Sequence, residues 1–313
     1  MAIRQHRLSR YRSCLQAGFF ILFVVAPPLD IFRYDLTLGH FIVLGMPWTL
    51  GLDALIKGDI GAIGAVMNVL VRGFLPLLLV AAALIWTAWR YGRLYCGWLC
   101  PHYSVVETVN ALLLRASGKP SVWESQPLPG SQPNGRYWPV TVVVAAVFAF
   151  VWALSLLTYL LPPFEIYHNL LNASLSGNQA RFLGIGTLLF FIDFMFARHL
   201  FCRFGCAVGL FQSLAWMANP RALVVGFERS RARSCQPCNN ACDNACPMRL
   251  RPRTIKRHMF TCTNCTQCLV ACEQVQADNP AGSLLHWFEG EQAIAVVDRR
   301  PAAPCNAKPV SGY

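Results

Sequence analysis

Two uninterrupted apolar stretches, Val66 to Trp89 and Pro139 to Leu161, are each longer than the ~20 residues an α-helix needs to cross a hydrocarbon core. A third, Phe182 to Phe201, is long enough while carrying Asp193 and Arg198. A fourth, Tyr11 to Leu29, has Arg12 placed to snorkel at one end and Pro27 and Pro28 to stop it at the other. The sequence therefore predicts about four spans, near 11–29, 66–89, 139–161 and 182–201. Phe41 to Ile56 is also apolar, but Gly45, Pro47, Gly51 and Asp53 interrupt it, and it reads as a re-entrant or interfacial piece. The first stretch reads as an anchor and not a cleaved signal, because Pro27-Pro28-Leu29-Asp30 stands where a small-x-small site would follow Ala26. Only 13% of the 313 residues are charged, against roughly 25% in a soluble domain. That deficit argues against a wholly soluble enzyme and against a disordered chain.

The few charges are unevenly placed. Arg4, Arg7, Arg10 and Arg12 precede or open the first stretch, while Arg90, Arg93, Arg115, Lys119 and Arg136 separate the second from the third, and fourteen more lie from Arg198 onward. Those three regions, holding 23 of the 27 Lys and Arg residues, fall on one side of a four-span bundle, and basic loops mark the cytoplasmic side. Both termini are expected there, with outer loops at about 30–65 and 162–181. Topology thus accounts for the net charge of +12, and no nucleic-acid partner is expected.

The spans also carry an internal repeat. Pro27-Pro28-Leu29-Asp30-Ile31-Phe32 ends the first, and Pro162-Pro163-Phe164-Glu165-Ile166-Tyr167 ends the third. Cys96-Gly-Trp-Leu-Cys100-Pro101 follows the second, and Cys202-Arg-Phe-Gly-Cys206-Ala207 follows the fourth. With two spans per half, the halves would be related by an axis along the membrane normal. Such an axis brings Cys96, Cys100, Cys202 and Cys206 to the cytoplasmic mouth of the bundle. An apolar helix lying along the interface is expected after each pair, Tyr103 to Leu114 and Ala207 to Ala218. A thiolate near such a helix start, beside Arg90, Arg93 or Arg203, is expected to have a lowered pKa.

The most specific signal is Cys262-x2-Cys265-x2-Cys268-x3-Cys272, the spacing of a [4Fe-4S] ligand run in which the fourth thiolate reaches a second cluster. Cys235-x2-Cys238-x3-Cys242-x3-Cys246-Pro247 nearly repeats it, with one extra residue that a bulged turn at Asn239 and Asn240 can absorb. The pattern assigns Cys235, Cys238, Cys242 and Cys272 to one cluster and Cys262, Cys265, Cys268 and Cys246 to the other. Zinc would not favour the interleaved Cys246-Pro247 signature, and a reducing cytoplasm disfavours disulfides. Cys14 and Cys305 are left as spare thiols. The expected fold is mainly α: a polytopic helix bundle over 1–218, a linker at 219–227, a small α+β ferredoxin-like module with two [4Fe-4S] clusters over 228–290, and a tail at 291–313.

The paired cysteines at span ends, followed by a double four-cysteine run, resemble the membrane polyferredoxins of the NapH and NosR types. The likeness is strongest to the cbb3 oxidase accessory family (CcoG, FixG or RdxA). It is carried by Arg33-Tyr-Asp-Leu with Phe41-Ile-Val-Leu-Gly45, by Phe201-Cys-Arg-Phe-Gly-Cys206 with Phe211-Gln-Ser, and by Ala271-Cys-Glu with Ala281-Gly-Ser-Leu-Leu. The chain departs from that family at Ala207, where a proline is expected, in the extra residue of the first run, and in lacking a C-terminal sandwich domain. The resemblance implies electron transfer through iron-sulfur clusters at the bacterial cytoplasmic membrane, with oxidase or reductase assembly factors as redox partners. For the oxidase accessory family it also implies reduction of Cu(II) to Cu(I).

These observations give three functional expectations. An electron carrier or metal-linked oxidoreductase would pass electrons through the two clusters to or from Cys96, Cys100, Cys202 and Cys206, a soft set suited to copper or a further cluster. Arg249, Arg251, Arg253, Lys256 and Arg257 would raise the cluster potentials and hold the module against anionic headgroups. An assembly subunit would use the clusters only for stability. A link to the quinone pool would use Asp30, Glu165, His40 and His168 at the outer face. His102 and His199 are placed to join the four-cysteine site; Arg72 and Asp193 either face each other across the bundle or Arg72 snorkels near the outer surface.

Overall fold

A computed structural model describes residues 2–235 and 238–297, with side chains at 7–235 and 238–296; Cys305 lies outside them. Among the described residues, three helices are long and apolar enough to cross a membrane: Ala62–Tyr91, Tyr137–Leu160 and Gly177–Ala197. Residues Ala2–Val25 form a further helix of 24 residues whose first half carries Arg4, Arg7, Arg10 and Arg12. Arg12 does not snorkel. It is 3% exposed, and it donates through Nε to Gly97 O at 2.8 Å and pairs with Glu107. An internal carboxylate has replaced water as its partner.

The chain divides into two compact units built from interleaved segments. One comprises residues 20–86 and 144–194. Its helix Tyr137–Leu160 contributes Ala145, Ala149 and Ala153, all fully buried at a spacing of one turn. An added Cβ on Gly186 would stand 3.3 Å from the Ala153 Cβ, so small residues set a close helix approach there. By contrast Leu77, Leu78 and Leu79 are 66, 62 and 62% exposed, an apolar face of the kind that suits lipid.

The apolar piece at 41–56, expected to be re-entrant or interfacial, is regular secondary structure. It completes an antiparallel sheet of Phe32–Asp35, His40–Val43 and Met46–Trp48, followed by the short helix Leu52–Ile56. Leu44 and Gly45, with φ of +51° and +74°, form the two-residue left-handed turn that hairpins require. Asp35 fixes the first turn by accepting from the backbone N–H groups of Thr37 and Leu38 and from Arg33, which also pairs with Asp30. Arg72 is exposed in the π-helical turn Leu70–Phe74, where its carbonyl accepts from Trp48 Nε1 at 3.0 Å. His40 Nδ1 lies 3.1 Å from Leu38 O, and His168 lies beside Asn172.

The other unit comprises residues 1–19, 87–143 and 195–313 as far as they are described. Its central helix, Pro101–Ser117, buries His102, Tyr103, Val105, Val106, Val109, Leu113 and Ala116, and so is a core element of the unit. Helix Ala207–Ala218 buries Gly209, Gln212, Ser213 and Trp216. A two-stranded antiparallel sheet, Val224–Phe227 with Leu285–Phe288, and short helices at Ala241–Asn244, Gln267–Val275 and Glu291–Val297 complete it.

Candidate metal centres

Two cysteine cavities lie in the second unit. One, with about 390 Å³ of atom-free space, is lined by Cys246, Cys262, Cys265 and Cys268 together with Val225, Met248, Leu250 and Met259. Asn264 and Thr266, flanking Cys265, have φ of +50° and +67°. Non-glycine residues rarely take this conformation, and it turns consecutive N–H groups toward a common point, the nest found at iron-sulfur sites. Backbone N–H groups reach the sulfurs: Leu250 N donates to Cys246 Sγ at 3.4 Å, and the Asn264 and Gln267 amides serve Cys262 and Cys265.

The other cavity, of about 280 Å³, is lined by Cys235, Cys238, Cys242 and Cys272 with Phe227, Arg253, Leu284 and Leu285. Asn240, at φ +55°, makes the bulged turn that absorbs the extra residue, and Ala241 N donates to Cys238 Sγ at 3.4 Å. Arg253 Nη2 closes this end, donating to Asn240 Oδ1 at 3.0 Å and Asp243 Oδ2 at 2.6 Å. Cys235 is in a disulfide, so its service as a ligand requires reduction.

The two quartets that line the cavities are the two that the interleaved spacing assigns. Among the described residues no three His, Cys, Asp or Glu side chains converge on a point that a lone ion would fill. Thiolates around a [4Fe-4S] cluster must stand farther apart than those around one zinc ion, and cysteines that line a common cavity without converging on one point suit the larger group better.

Cys96, Cys100, Cys202 and Cys206 are also drawn together. Cys96 lies in the short helix Leu94–Trp98 and Cys202 in the π-helical turn Phe201–Gly205. Cys100 and Cys206 are each the extended residue before a helix, Pro101–Ser117 and Ala207–Ala218. Each of Cys96 and Cys100 is close enough to Cys206 for their charges to interact. His102 Nδ1 lies 3.5 Å from Cys202 Sγ, and Gln212 Nε2 donates to Cys96 Sγ at 3.5 Å.

Cys96 and Cys100 are not acidified. Burial pushes Cys96 up to about 12, overriding the nearby Arg93, and it raises Cys100 although the His102 and Tyr103 amides donate to its sulfur. Burial likewise takes Cys242, Cys246 and Cys262 to about 12. Desolvation outweighs both the helix N-terminus and the neighbouring cation. A proton on a thiol of this kind is displaced by a metal and not by neutral pH. Of the other two arginines expected beside the thiols, Arg90 pairs with Glu289 and Arg203 lies over Phe204.

Three of the basic residues between the cysteine runs face inward and not toward headgroups, while Arg253 also lines the Cys235 cavity. Arg249 pairs with Glu124 and Arg253 with Asp243, while Lys256, 1% exposed, donates to Trp216 O and Asn219 O. Only Arg251 and Arg257 of the five are exposed. Internal partners occupy the charges that an anionic surface would need.

The sequence did not foretell how the Cys96–Cys100 segment meets the Cys262–Cys268 loop. A Cβ on Gly97 would fall 2.1 Å from Thr263 O, so only glycine permits the contact. Trp98 Nε1 donates to Asn264 O at 3.1 Å, and Asn264 Nδ2 to Tyr91 O at 2.6 Å. Tyr103 Oη meets Thr263 Oγ1 at 3.3 Å, and Gln267 Nε2 donates to Glu107 Oε1 at 2.7 Å. The glycine inside Cys-Gly-Trp-Leu-Cys was the one sequence signal of this approach.

Residues 73–120, which include Cys96 and Cys100, match the model of a 4Fe-4S binding domain. The chain is 24% identical over 226 residues to "Putative electron transport protein YccM" of Escherichia coli (strain K12), covering 67% of this chain and 59% of that protein. Two uncharacterized proteins of Methanocaldococcus jannaschii are 25% identical over 186 residues and 24% identical over 221, covering 58% and 70% of this chain and 62% and 79% of theirs. The chain thus spans about three fifths of the first two relatives' length. No solved structure matches it. The matched segment supports at least one iron-sulfur cluster, and the apolar helices fit a membrane protein.

Proposed function

We propose that this chain is a multi-pass membrane electron-transfer protein. In this reading Cys246, Cys262, Cys265 and Cys268 hold one [4Fe-4S] cluster, and Cys235, Cys238, Cys242 and Cys272 a second. The observation that carries the proposal is that each cavity is lined by a complete, interleaved cysteine quartet. The relative named for electron transport and the 4Fe-4S match at residues 73–120 support it. When bound, such a cluster takes up and releases one electron at a potential set by its surroundings.

Cys96, Cys100, Cys202 and Cys206 are proposed as a third thiolate centre. The 4Fe-4S match over Cys96 and Cys100 favours iron and sulfide there over copper. The chain's own residues hold this centre against the Cys262 loop through Gly97, Trp98 and Tyr103, which keeps water from the approach between them. Four spans with both termini and the cysteine cavities on the cytoplasmic side follow from the basic residues, 23 of 27 on one face. Redox partners of the membrane, oxidase or reductase assemblies among them, would exchange electrons at its ends.

The test is metal and sulfide analysis with EPR on the anaerobically purified full chain. About eight iron atoms per chain are expected for two clusters and about twelve for three. A Cys265→Ser variant should lose one cluster's signal and keep the other. Absence of iron, or zinc in its place, overturns the proposal; copper bound by the four cysteines of the third centre, with no iron there, overturns the iron assignment of that centre.

A further inference from the structure

Arg93 and Arg198 are the two fully buried arginines of the second unit, and the partners of Arg93 do not account for its charge. It is 1% exposed. Its Nε donates to Ser213 Oγ and its Nη1 to Cys202 O at 2.7 Å, both neutral acceptors, while Nη2 makes no hydrogen bond among the described residues. A guanidinium does not shed its proton in a protein, so the charge remains. A buried cation is tolerated where something anionic faces it, yet no ion pair to Asp or Glu holds Arg93 among the described residues. The groups whose charge it feels are the sulfurs of Cys96, Cys202, Cys206 and, less strongly, Cys262. As thiols these are neutral. Bound to metal they are thiolates, and four thiolates outweigh the net positive charge of the iron-sulfide core they would hold.

The backbone makes room for this side chain. Gly92, at φ +67°, ends the long helix and turns the chain so that Arg93 precedes Leu94–Trp98. A Cβ on Gly209 would stand 3.0 Å from Nη1 and 3.3 Å from Cys202 O, so the first turn of Ala207–Ala218 is bare where the guanidinium lies. Two independent glycines therefore position one cation between the two paired-cysteine motifs.

We propose that Arg93 is the buried counter-charge of the thiolate centre at Cys96, Cys100, Cys202 and Cys206, and that it raises that centre's reduction potential. This rests on the reading above that those cysteines bind metal. Adding an electron increases the negative charge of the centre, and a fixed cation in a low-dielectric site favours the more negative state. Arg93 is thus a positioning and tuning residue, and its effect should reach the Cys262 cluster in weaker form.

The experiment is an EPR-monitored titration of the full chain in detergent, with dithionite supplying one electron per centre. Arg93→Gln removes the charge and keeps an amide for Ser213 and Cys202 O. At fixed potential the ratio of reduced to oxidised centre is expected to fall tenfold or more, a downward shift of about 59 mV or more for one electron. Arg93→Lys should recover most of it, and Gly209→Ala, which crowds the guanidinium without removing it, should shift the potential the same way by less. Arg90→Gln, at the exposed pair with Glu289, should titrate as the parent does. Arg93→Gln loaded with metal and titrating unchanged overturns the proposal. So does an Arg93→Lys variant that fails to recover the potential, since a hydrogen-bonding role alone would then suffice. The underlying reading is tested separately: if a variant with Cys96, Cys100, Cys202 and Cys206 all changed to Ser keeps every signal and all its iron, those cysteines bind no metal and the proposal falls with them.

Discussion

The two cysteine cavities share their residue types and differ in what closes them. The cavity at Cys235, Cys238, Cys242 and Cys272 is walled by Phe227, Leu284 and Leu285 from the two-stranded sheet and sealed by Arg253 on Asn240 and Asp243. Its supports come from residues near it in sequence. The loop of Cys262, Cys265 and Cys268 is held by Tyr91, Gly97, Trp98, Tyr103 and Glu107, more than 150 positions away. One cavity is self-supporting and the other is a joint. The difference teaches how the proposed centres would be connected: the loop of the joint is braced by the segment that carries Cys96 and Cys100, whereas the self-supporting cavity has no such brace among the described residues.

Substitutions should separate the two. Gly97→Ala forces a methyl into Thr263 O and should cost about 3 kcal/mol, with iron lost from the joint while the other cavity's EPR signal persists; equal loss from both would erase the distinction. Arg253→Met leaves Asp243 unpaired and should cost slightly less, about 2–3 kcal/mol, with the opposite pattern of cluster loss. Asn240→Ala puts a β-carbon residue without local hydrogen-bonding capacity at φ +55° and removes the acceptor of Arg253, which should cost about 1–2 kcal/mol, confined to the self-supporting cavity; Asn240→Gly, which loses the same acceptor and fits the backbone, should cost less in the same thermal melt.

The smallest effect is one of pH. Burial lowers the Lys256 ammonium to about 8, whereas the unfolded chain keeps the usual value near 10.5. Between those values the unfolded state binds the proton and the folded state does not, so stability rises with pH across that window. Lys256→Met should flatten this slope in melts taken between about pH 8 and 10, and a parent whose stability falls over that range would contradict the assignment.

The interleaved spacing sorts eight cysteines into two quartets, and the two cavities are lined by those same residues; what they bind is proposed. The three apolar helices were legible in the sequence, since their length alone sets them apart. The hairpin at 32–48 was hidden because hydropathy registers Phe41, Ile42 and Val43 as apolar, while the strand signal lies in the left-handed turn of Leu44 and Gly45. The thiol acidities were misread because a helix start and an arginine are visible in sequence, and the depth of burial that outweighs them is not. The roles of Arg12, Arg249, Arg253 and Lys256 were misjudged for a related reason: Glu107, Glu124, Asp243 and the carbonyls of Trp216 and Asn219 become their partners only when the chain folds.

The contact of Gly97 with Thr263 is made by main chain on one side and by a missing side chain on the other. A contact of that kind tolerates no side chain at position 97, whatever replaces the side-chain bonds of Trp98, Tyr103 and Gln267 around it. Across proteins that share only a quarter of their residues with this chain, position 97 is the place to ask whether the joint has been kept.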